Sequence, residues 1–171
     1  MKVNSKAVKE ILNSISPVTL VAATKYVGVN EINELEALGC LFYGENRVQA
    51  FLDKYEKYQG NGRWHFIGTL QTNKVKYIID KVDLIHSVNT LSLIKEIEKQ
   101  ASKHNINIHI LLEVNIADEQ SKQGFDQNDI YDAISMETCV NTRLTIGAPS
   151  KASMEMVIKQ EEEYLNNSWK H

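Results

Sequence analysis

Val8, Ile11, Leu12 and Ile15 fall on one helical stripe, so the periodicity predicts a helix over residues 4–14. Pro17 breaks it, and a β-branched apolar run from Val18 to Ala23 reads as a strand. "VNEINELEAL" is amphipathic, with Gly39 in the usual stop position behind it. The alternation then repeats along the chain. The segments "CLFYG", "RWHFIG", "VDLIHSV", "INIHILLEVNI" and "TRLTIGA" read as strands. Those between and after them read as helices: "ENRVQAFLDKYEKY", "QTNKVKYIID", "TLSLIKEIEKQASKH", "NDIYDAISMETC" and "SMEMVIKQEEEYLNNSW".

The strand-like runs are nearly continuous in apolar residues, which predicts a parallel sheet buried on both faces. Six strands alternating with helices predict βα units joined by right-handed crossovers. An open doubly wound sheet and a (β/α) barrel both satisfy that order. No GxGxxG follows the first strand and no GxxxxGK[ST] occurs, so nucleotide-binding open sheets lose their usual support.

With 171 residues, 43% of them apolar, the chain can form one domain with a sizeable core. The net charge of −3 argues against a general nucleic-acid binder and leaves room for a small anion held by local groups. Cys40 and Cys139 form no CxxC pair and have no metal-type spacing with histidine, so two buried thiols in a reducing compartment are expected. The N-terminus lacks the apolar core of a signal peptide, and no run is long enough to span a membrane. A cytoplasmic protein without membrane or nucleic-acid partners is expected.

In parallel α/β folds, sites form at the carboxyl ends of the strands. Thr24 and Lys25 end the first strand, and Tyr43, Gly44, Glu45, Asn46 and Arg47 the second. His65, Ile67 and Gly68 follow on the third, His86, Ser87 and Asn89 on the fourth, and Glu113 and Asn115 on the fifth, before a loop with Lys122 and Gly124. These groups are expected to converge on one mouth. Lys25 there reads either as a partly buried amine with lowered pKa that forms a Schiff base, or as a lysine snorkelling to water. Asn46 is expected to cap the helix that follows it, whose start can also hold an anion. His65 and His86 read as hydrogen-bonded core histidines, Lys74 and Lys76 as solvated helix residues, and Lys122 as a surface lysine or a phosphate contact.

"VAATKYVGVNEI", "FYGENRVQAF", "WHFIGTLQTNKVKYI", "VDLIHSVNTLSLIKEI" and "LLEVNIADEQSKQGF" occur in this order. Together, over residues 18–125, they closely resemble the pyridoxal phosphate homeostasis protein family. The resemblance implies a (β/α)₈ TIM barrel of the alanine racemase N-terminal type, here one domain over residues 1–171. It implies pyridoxal 5′-phosphate (PLP) bound to Lys25 as a Schiff base, with Asn46, Ile67 and Ser87 along the cofactor ring and Lys122 in cofactor handling. It further implies a carrier or buffer of PLP rather than an enzyme, with no catalytic residues and with PLP-dependent apo-enzymes as recipients; a monomer is expected, and the spacing of its Cys and His residues predicts no metal. A PLP-dependent enzyme of the racemase type and a remnant that binds no PLP are the alternatives.

Residues 126–171 depart from that pattern. "TRLTIGA" resembles the family's sixth strand, and "PSKASMEMVIKQ" resembles the end of its phosphate loop, with Ser150 at the phosphate position but one residue out of register and without the preceding glycine. The barrel is expected to be incomplete here, short by roughly fifty residues against a typical length of about 250 in general and somewhat less in this family. Segments absent from this sequence, a shortened or rearranged gene, or pairing with a second copy would each account for that. The abrupt junctions favour the first.

Overall fold

The computed structural model describes residues 3–115, 124–134 and 142–147. α1 (Ser5–Ile15) starts at Asn4, whose side chain accepts the N–H of Ala7, and leads into β1 (Val21–Ala23). Four units follow: α2 (Val29–Ala37) and β2 (Phe42–Glu45); α3 (Val48–Tyr55) and β3 (Arg63–Phe66); a 3₁₀ turn (Thr72–Lys74), α4 (Val75–Ile78) and β4 (Leu84–Val88); α5 (Leu91–His104) and β5 (Ile108–Glu113). α6 (Gln127–Ile134) and β6 (Thr142–Gly147) complete the described elements. The last helix expected from sequence, Cys139, Lys122 and Ser150 lie outside the described residues.

All five strand pairings are parallel, and the spatial order is β1-β2-β3-β4-β5-β6. A doubly wound sheet reverses strand order at a switch point; this sheet never does, so it winds as a barrel wall. One-way winding places the helices on one face. There Tyr43, Trp64, Phe66, Ile85, Ile110 and Leu112 pack against Ile32, Phe51, Ile78, Ile94 and Ile97 in a single buried cluster. Each fully buried side chain of this size contributes roughly 1.5–3 kcal/mol. Cys40 is buried as expected, and burial pushes its thiol pKa up.

Expected strands buried on both faces need correction. β5 alternates, with Ile108, Ile110 and Leu112 buried while His109 is exposed and Leu111 and Glu113 are half-buried. The second face, the barrel interior, carries Phe42, His65, Ile67, His86 and Glu113, and within the described residues it is only partly covered. Among the described residues no helix is long and apolar enough to cross a membrane, and no group of three or more His, Cys, Asp or Glu could hold a metal.

Candidate functional site

The carboxyl ends of the strands surround a cavity of 540 Å³, lined by Ala23, Lys25, Asn46, Arg47, Ile67, Gly68, Thr69, Ser87 and Glu113. Seven of the residues expected at the mouth, Lys25, Asn46, Arg47, Ile67, Gly68, Ser87 and Glu113, come together here from five strand ends. Lys122 and Ser150 lie outside the described residues.

Each lining residue has a local reason for its place. Gly44 has no side chain, and a Cβ there would stand 2.9 Å from Ile67 Cδ1, so the glycine leaves the interior space that Ile67 fills. A Cβ on Gly68 would stand 2.2 Å from the Asn46 carbonyl oxygen, so only glycine lets the chain after β3 lie against the chain after β2. The Ser87 hydroxyl donates to the Gly68 carbonyl and fastens β4 to the same point. Ser87 reaches the interior because β4 is bulged: Ile85 pairs with Ile110 but Val88 with Leu112, which leaves one extra residue on β4. Ile85 and Val88 are both buried on the helix side, and His86 and Ser87 fall between them.

Of the two environments weighed for Lys25, partial burial and a chain reaching to water, the structure shows the second: it is exposed at the cavity rim, with its Nζ 4.9 Å from the centroid of the Tyr26 ring. It occupies the second position of a turn closed by the Val27 N–H donating to the Thr24 carbonyl at 3.1 Å. Thr24, 1% exposed, is held firmly. Its N–H donates to the Gly44 carbonyl at 2.9 Å and its hydroxyl to Glu45 Oε1 at 2.8 Å. From α3, Lys54 Nζ donates to the Thr24 carbonyl at 2.7 Å and to Glu45 Oε1 at 2.5 Å.

Other residues expected at the mouth lie elsewhere. Tyr43 and Glu45 follow the two-residue period of β2 onto the helix face, and both are fully buried there. Asn46 does not cap α3: the capping position is Arg47, without a side-chain cap bond, and Asn46 lines the cavity instead. His65 and His86 do not line the cavity. They sit deeper in the interior and bond to each other, as core histidines do, with Nδ1 of His65 3.0 Å from Nε2 of His86. Lys74 and Lys76 are exposed, as expected. The sequence reading passed over Thr69, whose place directly behind Gly68 past a strand end was the available signal. It also passed over Lys54, which has no local signal.

No protein-family model matches the chain. It is 47% identical over 112 residues to the pyridoxal phosphate homeostasis protein of Aquifex aeolicus (strain VF5), covering 65% of this chain and 49% of that protein. The chain thus spans about half the length of that relative. The solved structure of PipY from Synechococcus elongatus PCC7942 with PLP bound superposes with a TM-score of 0.75 at 22% identity, over 90% of this chain and 76% of PipY. Alanine racemase of Clostridium difficile 630 gives 0.68 at 12% identity, over 96% and 47%. Both likenesses place the fold in the alanine-racemase type of barrel, in agreement with the sequential parallel strand order. The chain is thus similar in sequence to pyridoxal phosphate homeostasis proteins and in fold to the alanine-racemase type of barrel.

Proposed function

We propose that this chain binds pyridoxal 5′-phosphate at the strand-end cavity and acts as its carrier or buffer, with Lys25 as the linking amine. The observation that carries this reading is the convergence of Lys25, Asn46, Ile67 and Ser87 on one cavity. The residues present fit the group. The volume of 540 Å³ falls within the roughly 300–1,000 Å³ usual for small-molecule sites. Gly68, where any Cβ would strike the Asn46 carbonyl, keeps Asn46 beside the cavity. Ile67 offers an apolar wall for a flat ring, while Asn46, Thr69 and Ser87 offer amide and hydroxyl groups.

When bound, PLP would supply an aldehyde, a group with which an amine such as that of Lys25 condenses reversibly with release of one water. The chain's own contribution is to place that amine and to orient the ring. Arg47 adds a cation at the rim, and we assign Lys122 and Ser150 to cofactor handling and phosphate contact respectively.

A carrier needs the amine and a cradle but no proton-moving groups aimed at a substrate. His65 and His86 are engaged with each other below the cavity and do not line it. We further propose a non-enzymatic protein, a single domain over residues 1–171, monomeric and cytoplasmic, that delivers PLP to dependent apo-enzymes.

The test combines reconstitution with turnover. Purified protein is loaded with PLP, dialysed and incubated with L-alanine. Retained lysine-linked PLP with constant optical rotation is expected. Loss of rotation would place the chain among racemases, and no retained PLP by folded protein would overturn the reading.

A further inference from the structure

The turn that carries Lys25 is fastened from the opposite face of the sheet. Its first residue, Thr24, receives two hydrogen bonds at its carbonyl: the Val27 N–H that closes the turn, and the Lys54 ammonium reaching across from α3. Lys54 is itself held by Glu45, whose side chain is 0% exposed, while that of Lys54 is 15% exposed. The Glu45 Oε1 that takes the ammonium also takes the Thr24 hydroxyl. One carboxylate oxygen therefore organises the side chain of Thr24 and, through Lys54, its carbonyl.

Such an arrangement is a poor way to gain stability alone. Desolvating both charges costs much of what their attraction returns, and an apolar pair of similar volume would serve as well or better. Within the described residues Glu45 Oε2 has no hydrogen-bond partner, which makes the cost larger. What an apolar pair could not do is hold a carbonyl by a short charge-assisted bond. The carbonyl held belongs to the peptide unit joining Thr24 to Lys25. Lys25 is otherwise exposed and on a turn, where a long side chain samples many directions.

We propose that Glu45 and Lys54 are positioning residues for Lys25. Their buried pair fixes the Thr24 carbonyl, and so the turn from which the Lys25 amine enters the cavity, and thereby sets the rate and orientation with which that amine links to an aldehyde ligand. The proposal rests on the reading of Lys25 as the linking amine.

The test is the paired variant Glu45→Leu with Lys54→Met, which removes both charges at similar volume and leaves the Thr24 hydroxyl its second contact, the Gly44 carbonyl at 3.2 Å. PLP is added to wild type and variant well below their melting temperatures. The growth of the lysine-linked absorbance band is followed, along with the visible circular dichroism of the bound chromophore. The expected result is a folded variant in which linkage is slowed by about tenfold to a hundredfold and the visible dichroism is weakened. Lys54→Arg, which can still bond both oxygens, is expected to keep most of both signals. A folded paired variant with wild-type rate and dichroism overturns the proposal. Should the paired variant not fold, Glu45→Gln decides: a slower rate with a weaker dichroic band supports the proposal, and unchanged values overturn it. Wild type run alongside separates the two readings, because absence of any linkage at Lys25 there overturns the assignment of Lys25 and this inference with it.

Discussion

His65 on β3 and His86 on β4 share one hydrogen bond, with Nδ1 of the first 3.0 Å from Nε2 of the second, beneath the cavity that Lys25 lines. One ring must donate and the other accept, so charging both would set two donors face to face. Burial, reinforced by the neighbouring His86, pushes the His65 pKa down to about 4, and burial also lowers that of His86.

The sign of the resulting pH dependence follows from linkage. Between the ordinary histidine value near 6.5 and about 4, the unfolded chain binds a proton that the folded chain does not, so stability falls as pH falls through that window. For His65 the loss is on the order of 3 kcal/mol by pH 4, and it is absent above about pH 7. Urea unfolding at a series of pH values checks this. The variant His65→Leu with His86→Leu is expected to flatten the profile between pH 6.5 and 4.

Trp64 anchors the helix-side core. It is 2% exposed and meets Tyr43, Phe51 and Tyr58 edge-on at centroid distances of 5.4, 5.5 and 5.6 Å. Trp64→Ala is expected to cost about 3–5 kcal/mol. Trp64→Phe keeps an aromatic ring and removes an indole N–H that has no partner among the described residues, so its cost is expected to be much smaller. Denaturant midpoints of the two variants test the ordering.

Gly68 makes the closest backbone approach at the cavity. Gly68→Ala would put a methyl group 2.2 Å from the Asn46 carbonyl oxygen, a backbone atom that cannot rotate away. The chain after β2 or β3 must shift, at a cost of about 1–3 kcal/mol. A lower melting temperature together with weaker PLP retention is expected, because Asn46 and Ser87 are both placed through Gly68.

Lys54→Met alone leaves the Glu45 carboxylate buried without its cation. A loss of about 3–5 kcal/mol is expected, larger than that of the paired variant in which both charges are gone. Thermal melts of the two proteins decide between this and an additive effect.

Sequence patterning placed every described strand and helix because the apolar runs are long and well separated. The boundaries moved where tertiary pairing overruled the pattern: β1 begins at Val21 rather than Val18, and α3 at Val48 rather than at Glu45. The cluster of site residues was legible because parallel strands deliver their carboxyl ends to one mouth. Which side chains face that mouth was not, since it depends on pleat phase. Tyr43 and Glu45 turned to the helices, while a bulge that only β5 pairing can define turned Ser87 inward. The bond from Lys54 to the Thr24 carbonyl spans 30 residues and leaves no local trace.

The most direct measurement is the site of covalent attachment. Purified protein is mixed with PLP, reduced with borohydride, digested and mapped by peptide mass, with Lys25→Ala treated in parallel. The expected result is a lysine-linked absorbance band, a single labelled peptide containing Lys25, and loss of both in the folded variant. A label on another lysine, or an undiminished band in Lys25→Ala, would contradict it.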